Sequence, residues 1–122
     1  MARTPYILFV DDDPAICAIF TRLFQRRLPL VHIIVLSSAA EAVALLDQQV
    51  VDLLITDHTM PGMTGLALVR QLRAQGAALP IVVISGLADL EREALQAGAT
   101  CFLAKDMAVT ELIPTVAAIL HL

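Results

Sequence analysis

The chain has 122 residues, 58% of them hydrophobic and 16% charged, with a formal net charge of −4. That length predicts one domain, residues 1–122, burying about two-thirds of its unfolded surface. The composition excludes a disordered chain, and a negative balance with no basic run argues against direct binding to nucleic acid or an anionic membrane.

Arg3 is the one charged side chain before the first apolar run, Tyr6-Ile7-Leu8-Phe9-Val10, which is too short for a signal-peptide core and reads as a buried strand. It ends in Asp11-Asp12-Asp13-Pro14. Proline suits the first helical position with an acidic residue before it, so Asp13 is predicted to cap a helix over residues 14 to about 26. Ile16, Ile19, Phe20, Leu23 and Phe24 share one face of that helix. Capping accounts for Asp13 and leaves Asp11 and Asp12 unexplained. Residues 31–36 predict a second strand, and Ser38 with Glu41 makes a capping box for a helix through about residue 47.

Residues 50–56 predict a third strand, branched and apolar enough to be buried on both faces, ending at Asp57. Pro61-Gly62 marks a tight turn behind it. Thr64 is placed to cap a helix over residues 65–75, closed by Gly76. Ile81-Val82-Val83-Ile84 predicts a fourth strand ending at Ser85-Gly86, and a helix over about residues 88–97 stops at Gly98. Residues 101–104 predict a short fifth strand ending at Lys105-Asp106, followed by a helix over about residues 109–121. Pro114 removes a backbone donor there and is expected within the first turn or two. No apolar run approaches a membrane span. Cys17 and Cys101 stand in no CxxC spacing and read as two buried free thiols of a reducing cytoplasm.

Strand and helix alternate five times, which predicts an α/β fold: a doubly wound, five-stranded parallel sheet of order 2-1-3-4-5 with five helices and right-handed crossovers. In a parallel sheet every strand ends at the same edge. Asp11 and Asp12 follow the first strand, Asp57 the third, Ser85 the fourth and Lys105 the fifth. Alone, Ser85 reads as a turn cap and Lys105 as a solvated cation; the convergence carries the argument. Two carboxylates about 4 Å apart repel by about 4 kcal/mol at an effective dielectric near 20, so protonation, the ammonium or a hard cation must relieve them. Oxygen-only ligands suit Mg²⁺ or Mn²⁺. A metal, a hydroxyl and an ammonium beside Asp57 suggest phosphoryl transfer to a carboxylate, with Asp57 as nucleophile.

Over essentially all 122 residues the chain resembles the receiver domain of bacterial two-component response regulators. The resemblance rests on Ile7-Leu8-Phe9-Val10-Asp11-Asp12-Asp13-Pro14, on Asp57-His58-Thr59-Met60-Pro61-Gly62-Met63-Thr64-Gly65, on Val83-Ile84-Ser85-Gly86, and on Gly98-Ala99-Thr100-Cys101-Phe102-Leu103-Ala104-Lys105. It implies that Asp57 accepts a phosphoryl group from a sensor histidine kinase or phosphotransfer protein. It implies that Asp12 ligates Mg²⁺ directly, Asp11 ligates it through water, and Asp57 and the backbone carbonyl of Thr59 add ligands. Ser85 then hydrogen-bonds the phosphoryl group, Lys105 pairs with it, Phe102 changes rotamer, and the surface of the fourth helix, fifth strand and fifth helix switches its affinity for an output domain or partner. Homodimerisation is left open.

The chain departs from the common family pattern in three respects, at four positions. Asp106 follows Lys105 where proline is frequent, removing the usual reason for a cis bond. Phe102 stands where tyrosine is also common. Thr59 and Leu87 line the expected approach of hydrolytic water and are neither acid nor amide, which predicts slow self-dephosphorylation. Three other readings compete. A haloacid-dehalogenase-like phosphatase would use Asp11 and Asp13 and leave Asp57 without a role. A flavodoxin-like FMN binder would place phosphate against three acidic residues. A receiver-like interaction module would never be phosphorylated.

Overall fold

Each of the five apolar runs becomes a strand, and all five run parallel. In the computed structural model, which describes residues 3–122, the order is β1 (Tyr6–Val10), α1 (Pro14–Arg27), β2 (His32–Leu36), α2 (Ala39–Gln48), β3 (Leu53–Asp57), α3 (Gly65–Ala74), β4 (Ile81–Ser85), α4 (Glu91–Ala97), β5 (Cys101–Ala104) and α5 (Ala108–Leu120). Short 3₁₀ turns, Ala88–Leu90 and Lys105–Met107, lead into α4 and α5. The sheet order is β2-β1-β3-β4-β5, as the chain order implied. Among the described residues, no helix is long and apolar enough to cross a membrane.

Alternation along the strands divides the core. Leu8, Val10, Leu54, Ile81 and Val83 face α2, α3 and α4. Ile7, Phe9, Leu53, Ile55, Val82 and Ile84 face α1 and α5, where Phe20, Phe24, Leu112 and Val116 meet them. The two central strands β3 and β4 are buried at every residue, whereas β2 is an edge strand with His32 and Val35 exposed. The helix starts follow the local chemistry. Asp13 accepts the Ala15 N–H, Ser38 the Glu41 N–H and Thr64 the Ala67 N–H, each holding a donor that the first turn leaves unpaired.

Four expectations need correction. Strand β3 starts at Leu53 rather than at residue 50, because Asp52 spends its carboxylate on the Tyr6 N–H (2.8 Å) and on Arg3 (2.6 Å), while Val50 is 69% exposed. Ile19 lies on the expected apolar face of α1 but at its margin and is 52% exposed. The helix expected from residue 88 opens as a 3₁₀ turn and becomes α-helical at Glu91. The two free cysteines are half-buried rather than buried. Cys17 sits beside a surface cleft, where its thiol donates to the Asp11 carbonyl (3.3 Å), and Cys101 lies on the edge strand β5. Pro114 is the seventh residue of α5, closing its second turn; it and Thr110, whose carbonyl loses its usual partner, are both exposed.

Candidate functional site

Strand register assembles the site. Val10 pairs with Thr56, Asp57 with Ile84, and Ser85 with Ala104. One step beyond those pairs come Asp11, Ser85 and Lys105, so side chains from four chain segments reach one edge of the sheet. Asp11, Asp12 and Asp57 each offer a carboxylate oxygen, all within 4.8 Å of one another. Lys105 Nζ lies 3.7 Å from Asp57 Oδ1, too long for a hydrogen bond and close enough for a charge pair.

Burial differs sharply across the set. Asp11 (3%), Asp57 (5%) and Ser85 (1%) are almost sealed from solvent, while Asp12 and Thr59 are exposed and the Lys105 side chain is 42% exposed. The charges can therefore be approached from solvent on the Asp12 and Lys105 sides. Burial pushes the Asp57 carboxyl above the ordinary carboxylate range, and the Lys105 ammonium opposes the rise. Burial also raises Asp11; the Asp13 N–H, donating to Asp11 Oδ1 at 2.9 Å, pulls it back, and the Asp57 charge pushes it up again. One ammonium thus leaves negative charge under-compensated, and an all-oxygen donor set of this kind suits a hard divalent cation.

The loop after Asp57 is closed at its base. The His58 N–H donates to the Ile84 carbonyl (3.0 Å), the His58 carbonyl accepts from Gly65 (2.9 Å), and His58 Nδ1 accepts the Leu66 N–H (3.4 Å). Gly65 has no Cβ because one there would collide with the Asp57 carbonyl oxygen and lie 2.9 Å from His58 Cα. Gly62 takes φ 79° in the turn expected at Pro61-Gly62. Ser85 Oγ accepts the Leu87 N–H at 3.0 Å. Phe102 is half-buried on β5 and packs on the side of the sheet that carries α2, α3 and α4. No peptide bond among the described residues is cis, the one after Lys105 included.

Sequence reasoning missed several neighbours. A cleft of about 370 Å³ beside Asp11 and Asp12 is lined also by Cys17, Ser37 and Glu41. A smaller one of about 70 Å³ runs between Asp57 and Lys105 and the apolar Ile19 and Val109. Glu41 showed itself only as a capping residue, a role it also fills, accepting from the Ser37 and Ser38 hydroxyls at 2.9 and 3.1 Å.

Comparison with known proteins agrees with this geometry. The family described as response regulator receiver domain matches residues 7–117. The C4-dicarboxylate transport transcriptional regulatory protein DctD of Rhizobium meliloti strain 1021 is 35% identical over 117 residues, covering 93% of this chain and 25% of that protein. The chain thus spans about a quarter of that relative's length. Among solved structures, the receiver domain of a Francisella response regulator superposes with a TM-score of 0.88 at 27% identity, covering 95% of this chain and 96% of that one. A response regulator receiver protein from Pseudomonas putida gives 0.86 at 29% identity, with 97% and 99% covered. A family match over residues 7–117, joined to the superposition on those receiver domains, makes this chain a member of the response regulator receiver family.

Proposed function

We propose that this receiver takes a phosphoryl group onto Asp57 from the phosphohistidine of a sensor histidine kinase or phosphotransfer protein. One observation carries the reading: a buried carboxylate, Asp57, faces the Lys105 ammonium at 3.7 Å while two further carboxylates crowd it. In the transfer, an Asp57 carboxylate oxygen forms a P–O bond as the donor's P–N bond breaks. The bonding pair leaves on the imidazole nitrogen, which takes a proton from solvent. Lys105 stays beside the acceptor and offsets the added charge, and the buried Ser85 hydroxyl hydrogen-bonds a phosphoryl oxygen.

Asp11, Asp12, Asp57 and the Thr59 carbonyl would hold Mg²⁺, or Mn²⁺ in its place. When bound, such an ion neutralises charge on the phosphoryl oxygens. The phosphorylated state redirects Ser85 and Phe102, and the surface of α4, β5 and α5 changes its affinity for an output domain, a separate partner or a second copy of the chain. Such a bias is as large as the difference in contacts between the two states. Free thiols suit work in a reducing cytoplasm. Family membership sets aside the phosphatase and FMN-binding readings.

The test is intact mass after incubation of wild type and Asp57→Asn with acetyl phosphate and Mg²⁺. The expected result is one phosphoryl adduct on wild type alone, absent when the metal is chelated first. An equal adduct on the variant moves the acceptor elsewhere, and no adduct on wild type leaves an interaction module that is not phosphorylated.

A further inference from the structure

The two ends of α4 are held by different means. At its C-terminal end stands Arg73, from the last turn of α3, which pairs with no carboxylate among the described residues. Its guanidinium donates instead to three main-chain carbonyls: Nε to Gly98 at 2.9 Å, and Nη1 to Ala77 at 3.0 Å and Leu79 at 2.7 Å. Gly98 is the C-cap of α4, with φ 115°. Arg73 therefore sets a cation on the negative end of that helix while tying it to the chain entering β4. A Cβ on Gly98 would lie 2.6 Å from Arg73 Cγ, so a side chain is unwelcome there for its contacts as well as for its backbone angle.

The other end is held by one apolar side chain, the half-buried Leu90 packed on the core, and by little that is polar. Neither Leu87, before the 3₁₀ turn, nor Leu90, before the helix, provides a side-chain cap. Ala94 is the one buried residue of α4. The Arg70–Glu93 ion pair (3.0 Å) is about half exposed on both sides, which makes it a weak tether. Beside it and the turn's own Leu90 N–H to Leu87 carbonyl bond, the Leu87 N–H donates to Ser85 Oγ at 3.0 Å. That is the hydroxyl which the phosphoacceptor reading turns toward the phosphoryl group. The contact is part-buried, on a residue that is itself 52% exposed.

We propose that Arg73 is the positioning residue on which α4 pivots: it grips Gly98 as a hinge, and the Ser85–Leu87 contact is the latch at the opposite end, released when the Ser85 hydroxyl turns to the phosphoryl group. The latch rests on the phosphoacceptor reading; the hinge does not. Phosphorylation then loosens the start of α4 and leaves its end fixed, so the helix swings rather than melts.

The experiment is amide hydrogen exchange by NMR, residue by residue over 87–100, before and after acetyl phosphate with Mg²⁺, the adduct being followed by intact mass on the same samples. In wild type, phosphorylation speeds exchange about tenfold over residues 87–93 and leaves 95–100 unchanged. Arg73→Met keeps the packed stem and removes the guanidinium. It speeds exchange over residues 95–100 about tenfold without phosphorylation, and on phosphorylation the whole helix loosens, a loss of asymmetry that a purely structural residue would not produce. Gly98→Ala disturbs the same contact from its other side and gives the same pattern, with the amides of β1 and β3 reporting an intact sheet. Unchanged exchange over 95–100 in both variants overturns the hinge. An adducted wild type with unchanged residues 87–93 overturns the latch and leaves the phosphoacceptor reading standing. No adduct on wild type overturns that reading and the latch together, while the hinge is still decided by the unphosphorylated samples.

Discussion

Asp57 works under opposed forces: burial favours its neutral form, and Lys105 favours its charge. Asp11 is raised for the same first reason. The folded chain therefore keeps protons on these groups at pH values where the unfolded chain, with carboxyls near about 3.9, has released them. Without metal, their effect is a stability that falls as pH rises from the unfolded range through the raised folded values. Asp57→Asn removes one such group. In chelator, its urea midpoint should match wild type near the acid end and exceed it by a margin that widens toward neutrality; a margin that shrinks with rising pH reverses the argument. Lys105→Met strips the ammonium from the acceptor, and the rate of adduct formation with acetyl phosphate should fall about a hundredfold, the scale of losing one well-placed charge stabiliser. The lifetime of the phosphoryl group belongs to the same scale. Thr59 and Leu87, both exposed, offer no carboxylate or amide to orient water. The adduct should persist well beyond seconds when followed by mass over time, and Thr59→Asn should shorten it.

At the scale of elements, the capping residues carry much of what local sequence can say. Asp13, Ser38 and Thr64 all cap where spacing placed them. Asp13→Ala should cost about 1 kcal/mol of stability by urea titration. It should leave Asp11 held, because the N–H that Asp11 accepts is main chain. Gly65→Ala sits at a joint between elements, where α3 starts against the backbone of Asp57. It should cost about 1–3 kcal/mol, the scale of forced backbone shifts in tight packing, and should also slow phosphorylation by displacing the loop that carries Thr59. Element boundaries were harder to read than element types. Val50 and Val51 continue the apolar run of β3, and nothing local reveals that Asp52 turns aside to Arg3 and the Tyr6 N–H, 49 and 46 residues away. The start of α4 was blurred for a related reason: with no capping side chain at Leu87 or Leu90, the turn tightens to 3₁₀ before the helix begins.

For the whole molecule, the acidic edge makes a linkage prediction. A divalent ion that binds only the folded chain should raise stability with concentration, by about 2.7 kcal/mol at a hundredfold excess over its Kd, or about 10 °C in Tm for a domain of this size. Asp12→Asn should abolish that rise while leaving the metal-free Tm close to wild type, because Asp12 is exposed; calorimetry against MgCl₂ concentration checks both. The sheet order and the meeting of Asp11, Asp57, Ser85 and Lys105 were legible in the chain alone, because apolar runs specify strands, βα alternation forces them parallel, and parallel strands end at one edge. The three-dimensional structure alone decided the depth of each group, the 3.7 Å gap between Asp57 and Lys105, and the grip of Arg73 on Gly98. Arg73 carries no motif, and its three acceptors are backbone carbonyls that any residue could supply. Periodicity and spacing report what a residue is beside along the chain; hydrogen bonds and burial across it depend on how helices settle onto the sheet, which no local pattern encodes.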